Sequence, residues 1–225
     1  MRIISVKKGF TSDHSSTSYE FLAVDKALGK QERAKVASLS SRATPTSRRV
    51  SFIYHVDGYD IPGGWGTLME KYYDVMYRED YDWWTLSIAF NTTEEQIAEL
   101  GNYDFSGVED LGVSIDRAGN RAIVSIYCRI DWSYLVGNHD EYDEHDEHDE
   151  EVDENGEAGF IAEDGLLNLL VQVRHQIIKR DYRALYAVWE KYGYKDDGDF
   201  EIPVPEDKKP GKNIVNEFSR LLESY

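Results

Sequence analysis

Apolar and polar positions alternate by twos in several short stretches before position 131 and recur at three- and four-residue spacing after position 165. Residues 2–6 favour a strand, and residues 9–17 (GFTSDHSST) follow as a polar turn that Ser18 closes, since Gly, Ser and Asp readily bond their own backbone. In residues 19–24 (YEFLAV), Tyr19, Phe21 and Ala23 oppose Glu20, Leu22 and Val24, which predicts a strand inside a sheet. Ala34, Val36, Ala37 and Leu39 stand close to helical spacing with Gln31, Glu32, Arg33 and Lys35 facing out, so residues 30–39 read as a short amphipathic helix. Residues 50–56 (VSFIYHV) are β-branched and aromatic and predict a second interior strand. After a loop at 57–66, Leu68, Met69, Tyr72, Tyr73, Val75 and Met76 follow helical spacing, and residues 83–90 (WWTLSIAF) read as a third strand. Thr92 and Glu95 form a capping box for a helix through Leu100, because hydroxyl and carboxylate can each satisfy an end amide. Residues 111–115 and 122–130, parted by 116–120, read as a hairpin.

Later in the chain, Leu166, Leu167, Leu169, Leu170, Val173, Ile177 and Ile178 cover one broad face of a core helix. Tyr182, Leu185, Tyr186 and Trp189 repeat the pattern in a helix that stops near Gly193, with Trp189 expected to be buried against the sheet. Ile214, Val215, Phe218, Leu221 and Leu222 mark a third helix. Between those two, residues 196–211 hold Pro203, Pro205 and Pro210 and read as an extended surface connection. The pattern predicts an α+β fold: a mainly antiparallel sheet of four to six strands, helices packed on one face, and a helical C-terminal part. The expected organisation is an α+β body over 1–138, an acidic low-complexity loop over 139–160, and C-terminal helices over 161–225 that complete the same domain.

Charge changes this picture most. Residues 140–157 (DEYDEHDEHDEEVDENGE) carry −12 of the formal −18, which leaves −6 for the rest of the 225-residue chain. Like charges closer than a Debye length of about 8 Å repel and offer little apolar surface to bury, so the run reads as a solvated loop. Net acidity argues against nonspecific affinity for DNA, RNA or anionic membranes, which clustered Lys and Arg supply. The one basic patch is residues 40–49 (SSRATPTSRR). The apolar segment before Lys7 and Lys8 is too short for a signal-peptide core, and no window is apolar enough for a membrane span. Cys128 stands alone, which permits no intrachain disulfide and fits a reducing compartment, so the expected localisation is cytoplasmic.

Ser12, Asp13, His14, Ser15 and Ser16 contain the residue types of a nucleophile, a base and an orienter. Neighbouring side chains in a tight turn diverge, whereas triads assemble from distant segments, so this stretch reads as a polar turn and a candidate recognition element. His139, His145 and His148 lie among carboxylates, and His145, His148, Asp146 and Asp149 can take a divalent cation weakly, because a flexible polyanion supplies ligands without fixing their geometry. No other cofactor is implied. Glu20, Asp25, Glu32 and Arg42 read as ion pairs and caps at element ends, although Arg42 with Arg48 and Arg49 could hold an anion. His55 and His175 read as hydrogen-bonded core histidines. Gly63, Gly64 and Gly66 around Trp65 lack the lysine of a phosphate loop and the spacing of a dinucleotide fingerprint, and read as a turn that packs the tryptophan. Tyr72, Tyr73, Tyr77, Tyr81, Trp83 and Trp84 read as core aromatics.

The phrases SSTSYEFLAVDKAL, LSSRATPT, LMEKYYDVMY and DYRALYAVWEKYG resemble a family of small, uncharacterised prokaryotic proteins, in which a YEF-x-A-x-D strand leads to a helix and LSSRA, and a DxRALY helix comes late. GFTSDHSSTSYEF is similar to the serine-rich G-F-x-S-x-x-S-S-x-S-F start of various bacterial and phage proteins, with Asp13-His14 in place of small polar residues and Tyr19 in place of Phe. The resemblance implies one intact domain and supplies no reaction, cofactor or catalytic residue.

The functional expectation follows from charge. It is a non-enzymatic interaction or regulatory protein in which Asp140, Glu141, Asp143, Glu144, Asp146, Glu147, Asp149, Glu150, Glu151, Asp153 and Glu154 face a basic or nucleic-acid-binding protein partner, with no direct contact to nucleic acid or membrane. The alternative is a metal-dependent hydrolase whose carboxylates gather only in the fold.

Overall fold

The structure, a computed structural model, describes residues 17–55, 60–130, 165–194, 202–206 and 211–223. Its strands are β1 (Thr17–Leu22), β2 (Arg49–Tyr54), β3 (Val75–Asp80), β4 (Trp83–Asn91), β5 (Phe105–Ser106), β6 (Gly112–Ala118) and β7 (Arg121–Cys128). Its α-helices are α1 (Lys30–Ala37), α2 (Gly64–Lys71), α3 (Glu94–Gly101), α4 (Gly165–Ile178), α5 (Arg183–Tyr192) and α6 (Lys212–Leu221). The strands form one antiparallel sheet in the order β2-β1-β3-β4-β7-β6-β5.

The α+β class and the antiparallel sheet are as predicted, with seven strands in place of four to six. One uncounted strand is β3. Residues 68–76 read as one helix, yet α2 ends at Lys71 and the chain turns at Asp74, whose carboxylate accepts from the Val24 and Asp25 amides at 2.7 and 2.9 Å. From Val75 on, the backbone bonds to β1 on one side and β4 on the other. A ladder on both edges outweighs the weak local preference of Val, Met and Tyr for either state. β5 is two residues long, too short for alternation to be visible.

Strand side chains point alternately up and down, and this sheet buries both faces. Leu22, Val75, Leu86, Ile88, Val124 and Ile126 face Leu100 of α3, Leu166, Leu170 and Val173 of α4, Leu185 and Val188 of α5 and Phe218 of α6. Phe21, Val50, Phe52, Met76, Ala89 and Ile123 face the opposite way, into a second cluster with Val36 of α1 and Leu68 and Met69 of α2. The four later helices thus share one face, and the two short early ones add a layer on the other, which corrects the expectation of helices on one face only: the strands are apolar on both sides and each side needs a cover.

Three local expectations are corrected. Thr17 and Ser18 belong to β1, not to the preceding turn, and the Thr17 hydroxyl donates to Asp80 at 3.1 Å. The cap of α3 is Thr93, whose hydroxyl accepts from the Gln96 amide, while Thr92 donates to the Gln96 side chain and Glu95 pairs with Arg180 at 2.7 Å. Trp189 is only half-buried, because Ala184, Leu185, Val188 and Tyr192 occupy the inner stripe of α5. It stands edge-on to Phe105, with ring centroids 5.0 Å apart.

Gly107, which follows β5, touches the C-terminal turn of α5 so closely that a Cβ would lie 2.1 Å from the Tyr192 carbonyl oxygen. Backbone cannot swing aside as a side chain does. Gly107→Ala is therefore expected to cost about 1–3 kcal/mol, seen as a lower urea midpoint at unchanged m.

Candidate functional site

At one end of the sheet, β1 and β4 finish beside the first residues of β3 and β7. The segment that carries β1 into α1 and the end of α2 stand over this edge and enclose a cavity of about 210 Å³. Asp74 and Arg121 line it from below, Leu28 and Tyr72 from the sides, and Asp25, Lys26, Glu32, Lys71 and Asn91 around the mouth.

The floor is a charged network. Asp74 is 4% exposed, and besides the two amides it accepts from Arg121 Nη2 at 2.6 Å. Arg121 also donates to the Met69 and Tyr73 carbonyls at 2.8 and 2.6 Å, which ties the end of α2 to the start of β7. From the other face of the sheet comes Arg174 of α4, buried to 1% exposure, which donates to the Ala89 carbonyl at 2.8 Å and to Asp25, and lies 3.9 Å from Asp74. Buried ions persist only when paired and hydrogen-bonded, and these four complete one another. None of Asp74, Arg121 and Arg174 stands out in the sequence as a site residue. The available signal was Arg174, a charge between Val173 and Ile177 on an otherwise apolar helix face.

A second polar group lies on the α4 side of β1 and β3. Glu20, fully buried, accepts from Ser51 at 2.5 Å and pairs with Arg49 at 3.3 Å. Glu79 sits between Ser18 and Trp84 in the cross-strand register, 8% exposed, with no hydrogen bond or ion pair among the described residues. Loss of hydration raises its pKa to about 8, since burial without a counter-charge penalises the ionised form.

Of the residues expected to be caps and pairs, Glu20, Asp25 and Glu32 behave so and Arg42 makes no ion pair among the described residues. Glu32 accepts from the Gly29 amide at 2.6 Å, which holds its carboxyl below the usual range, and Asp25 pairs with Arg174. Arg48 donates to the Ala23 and Val24 carbonyls and Arg49 is engaged by Glu20, so the basic patch is spent on structure and leaves Arg42 exposed. The histidine expectations are corrected: His55 and His175 are exposed, one just beyond β2 and the other on the outer side of α4. Partial burial, then Arg174 and Lys179, lowers the pKa of His175. Among the aromatics Tyr73, Tyr77 and Trp84 are core, whereas Tyr81 and Trp83 stand exposed at the β3–β4 turn with the Arg129 guanidinium 5.1 Å above the Trp83 ring.

The acidic residues of the 140–157 run, with His145, His148, Asp146 and Asp149, and the turn from Ser12 to Ser16 lie outside the described residues. Among the described residues no cluster of three or more His, Cys, Asp or Glu side chains is placed to hold a metal, and no helix is long and apolar enough to cross a membrane. No family model, curated protein or solved structure matches this chain.

Proposed function

We propose that the protein is a non-enzymatic interaction or regulatory protein of the cytoplasm, akin to the prokaryotic family its phrases resemble, which presents an acidic segment to a basic or nucleic-acid-binding protein. The observation that carries this reading is the concentration of −12 within residues 140–157. Such a field attracts a basic surface quickly, and added salt weakens it. The charged floor of the sheet-end cavity supports binding over hydrolysis, because both oxygens of Asp74 are already committed to amides and a guanidinium. A carboxylate so saturated is a poor general base.

Partners recovered from native lysate are expected to be basic. Replacing the twelve acids of residues 140–157 by Asn and Gln should strip them away, and raising salt should slow association of the native chain. If the neutralised chain retains its partners equally, the charge reading fails. Metal-dependent turnover of a phosphoester or peptide by the purified chain would establish the hydrolase alternative instead.

A further inference from the structure

We propose that the cavity at the end of the sheet binds a small zwitterion of the free amino-acid class, with its carboxylate on Arg121, Lys71 and Asn91 and its ammonium on Asp25 and Glu32. This goes beyond the charge reading and does not rest on it, since every group involved belongs to the body of the fold and none to residues 140–157.

Size comes first. At about 210 Å³ the cavity is below the range that holds drug-sized ligands or nucleotides, and suits a molecule of a few heavy atoms. Charge comes next. The lining offers Asp25, Glu32 and Asp74 against Lys26, Lys71 and Arg121, so it is formally neutral with both signs present. A bare anion would meet the acids and a bare cation the guanidinium, whereas a ligand carrying one of each can satisfy both walls.

The hydrogen-bond inventory then separates groups that hold the fold from groups left for a ligand. Arg121 commits Nε and Nη2 to Met69, Tyr73 and Asp74, and its Nη1 has no partner among the described residues. Lys71 and the Asn91 side chain likewise have none among them. Asp25 gives one oxygen to Arg174 and keeps a side chain 51% exposed; Glu32 gives one oxygen to the Gly29 amide, and its other oxygen lies 3.7 Å from Lys26 Nζ in a solvent-facing pair weak enough for a ligand ammonium to displace. Donors and acceptors are thus left open on a pocket whose geometry the buried Asp74–Arg121 pair already holds, and such preorganisation lowers the cost of binding. Leu28 and Tyr72 supply an apolar wall for a short side chain.

The test is calorimetric titration of the full chain with L-alanine, set against N-acetyl-alanine, alanine amide and inorganic phosphate. L-alanine is expected to bind saturably, and removal of either ligand charge should weaken binding about tenfold or more, the worth of one charge-assisted hydrogen bond. Lys71→Gln and Asn91→Ala, both at exposed positions, should each lower affinity while leaving the melting temperature of the free protein unchanged. Absence of heat with L-alanine at millimolar concentration, equal binding of the acetylated or amidated forms, phosphate binding as tightly as L-alanine, or unchanged affinity in both variants would each overturn the proposal.

Discussion

Asp74→Ala is expected to destabilise the fold by about 3–5 kcal/mol, the usual result of removing one partner from a buried ion pair. Two amides lose their acceptor, Arg121 loses its counter-ion, and Arg174, buried to 1% exposure, is left with Asp25 and the Ala89 carbonyl among the described residues. The damage reaches both faces of the sheet, because Arg121 ties down α2 and Arg174 belongs to α4. Urea denaturation of the variant is the measurement. A loss of about 1 kcal/mol or less, the worth of an exposed pair, would show that the network is solvated and does not hold this end of the sheet together. Asp74→Asn should fall between, since an amide oxygen can still accept from one side while its NH₂ faces donors.

Glu79→Gln is expected to raise stability at alkaline pH and to remove most of its pH dependence above the carboxylate range. In the folded protein the Glu79 pKa is raised from 4.5 to about 8, so the native state binds this proton more tightly than the unfolded chain does. The resulting stability is fully present below pH 4.5 and is lost as pH rises through about 8. A tenfold difference in proton affinity between the two states corresponds to about 1.4 kcal/mol; allowing for relaxation around the charge, the loss across that window should be about 2–4 kcal/mol. On the same face Glu20 is engaged by its partner Arg49, whereas Arg78 and Asp80, adjacent in β3, pair with each other on the opposite side. Melting temperatures of native and Glu79→Gln protein against pH decide the matter. Parallel curves would mean that Glu79 is hydrated and titrates normally.

The α+β class, the β6–β7 hairpin and the three late helices could be read directly from residue order, because each rests on strong local periodicity; the helix over Lys30–Ala37, which buries Val36, was legible from its helix-favouring residues. Glu32 as a cap was legible for the same reason: its partner lies three residues away. Residues 68–76 mislead because Leu68, Met69, Tyr72, Tyr73 and Met76 suit a helix and a doubly buried strand equally well, and only pairing to β1 and β4 decides between them. Trp189 and His175 are misplaced by the same limit, since period alone does not say which side of a helix the sheet will take; His55 is misplaced because β2 ends at Tyr54 and leaves it beyond the ladder.

The candidate site as an assembly was not legible. Asp25, Asp74, Arg121 and Arg174 are spread over 149 positions, and they meet only because β1, β3, β4 and β7 end together and α4 crosses above them. By itself the order of residues determined most of the helical and extended segments, β3 and β5 excepted, and it concentrated the protein's charge in one run. Tertiary structure alone decided which charges lose their water and must find one another, because burial is a property of contacts between distant segments.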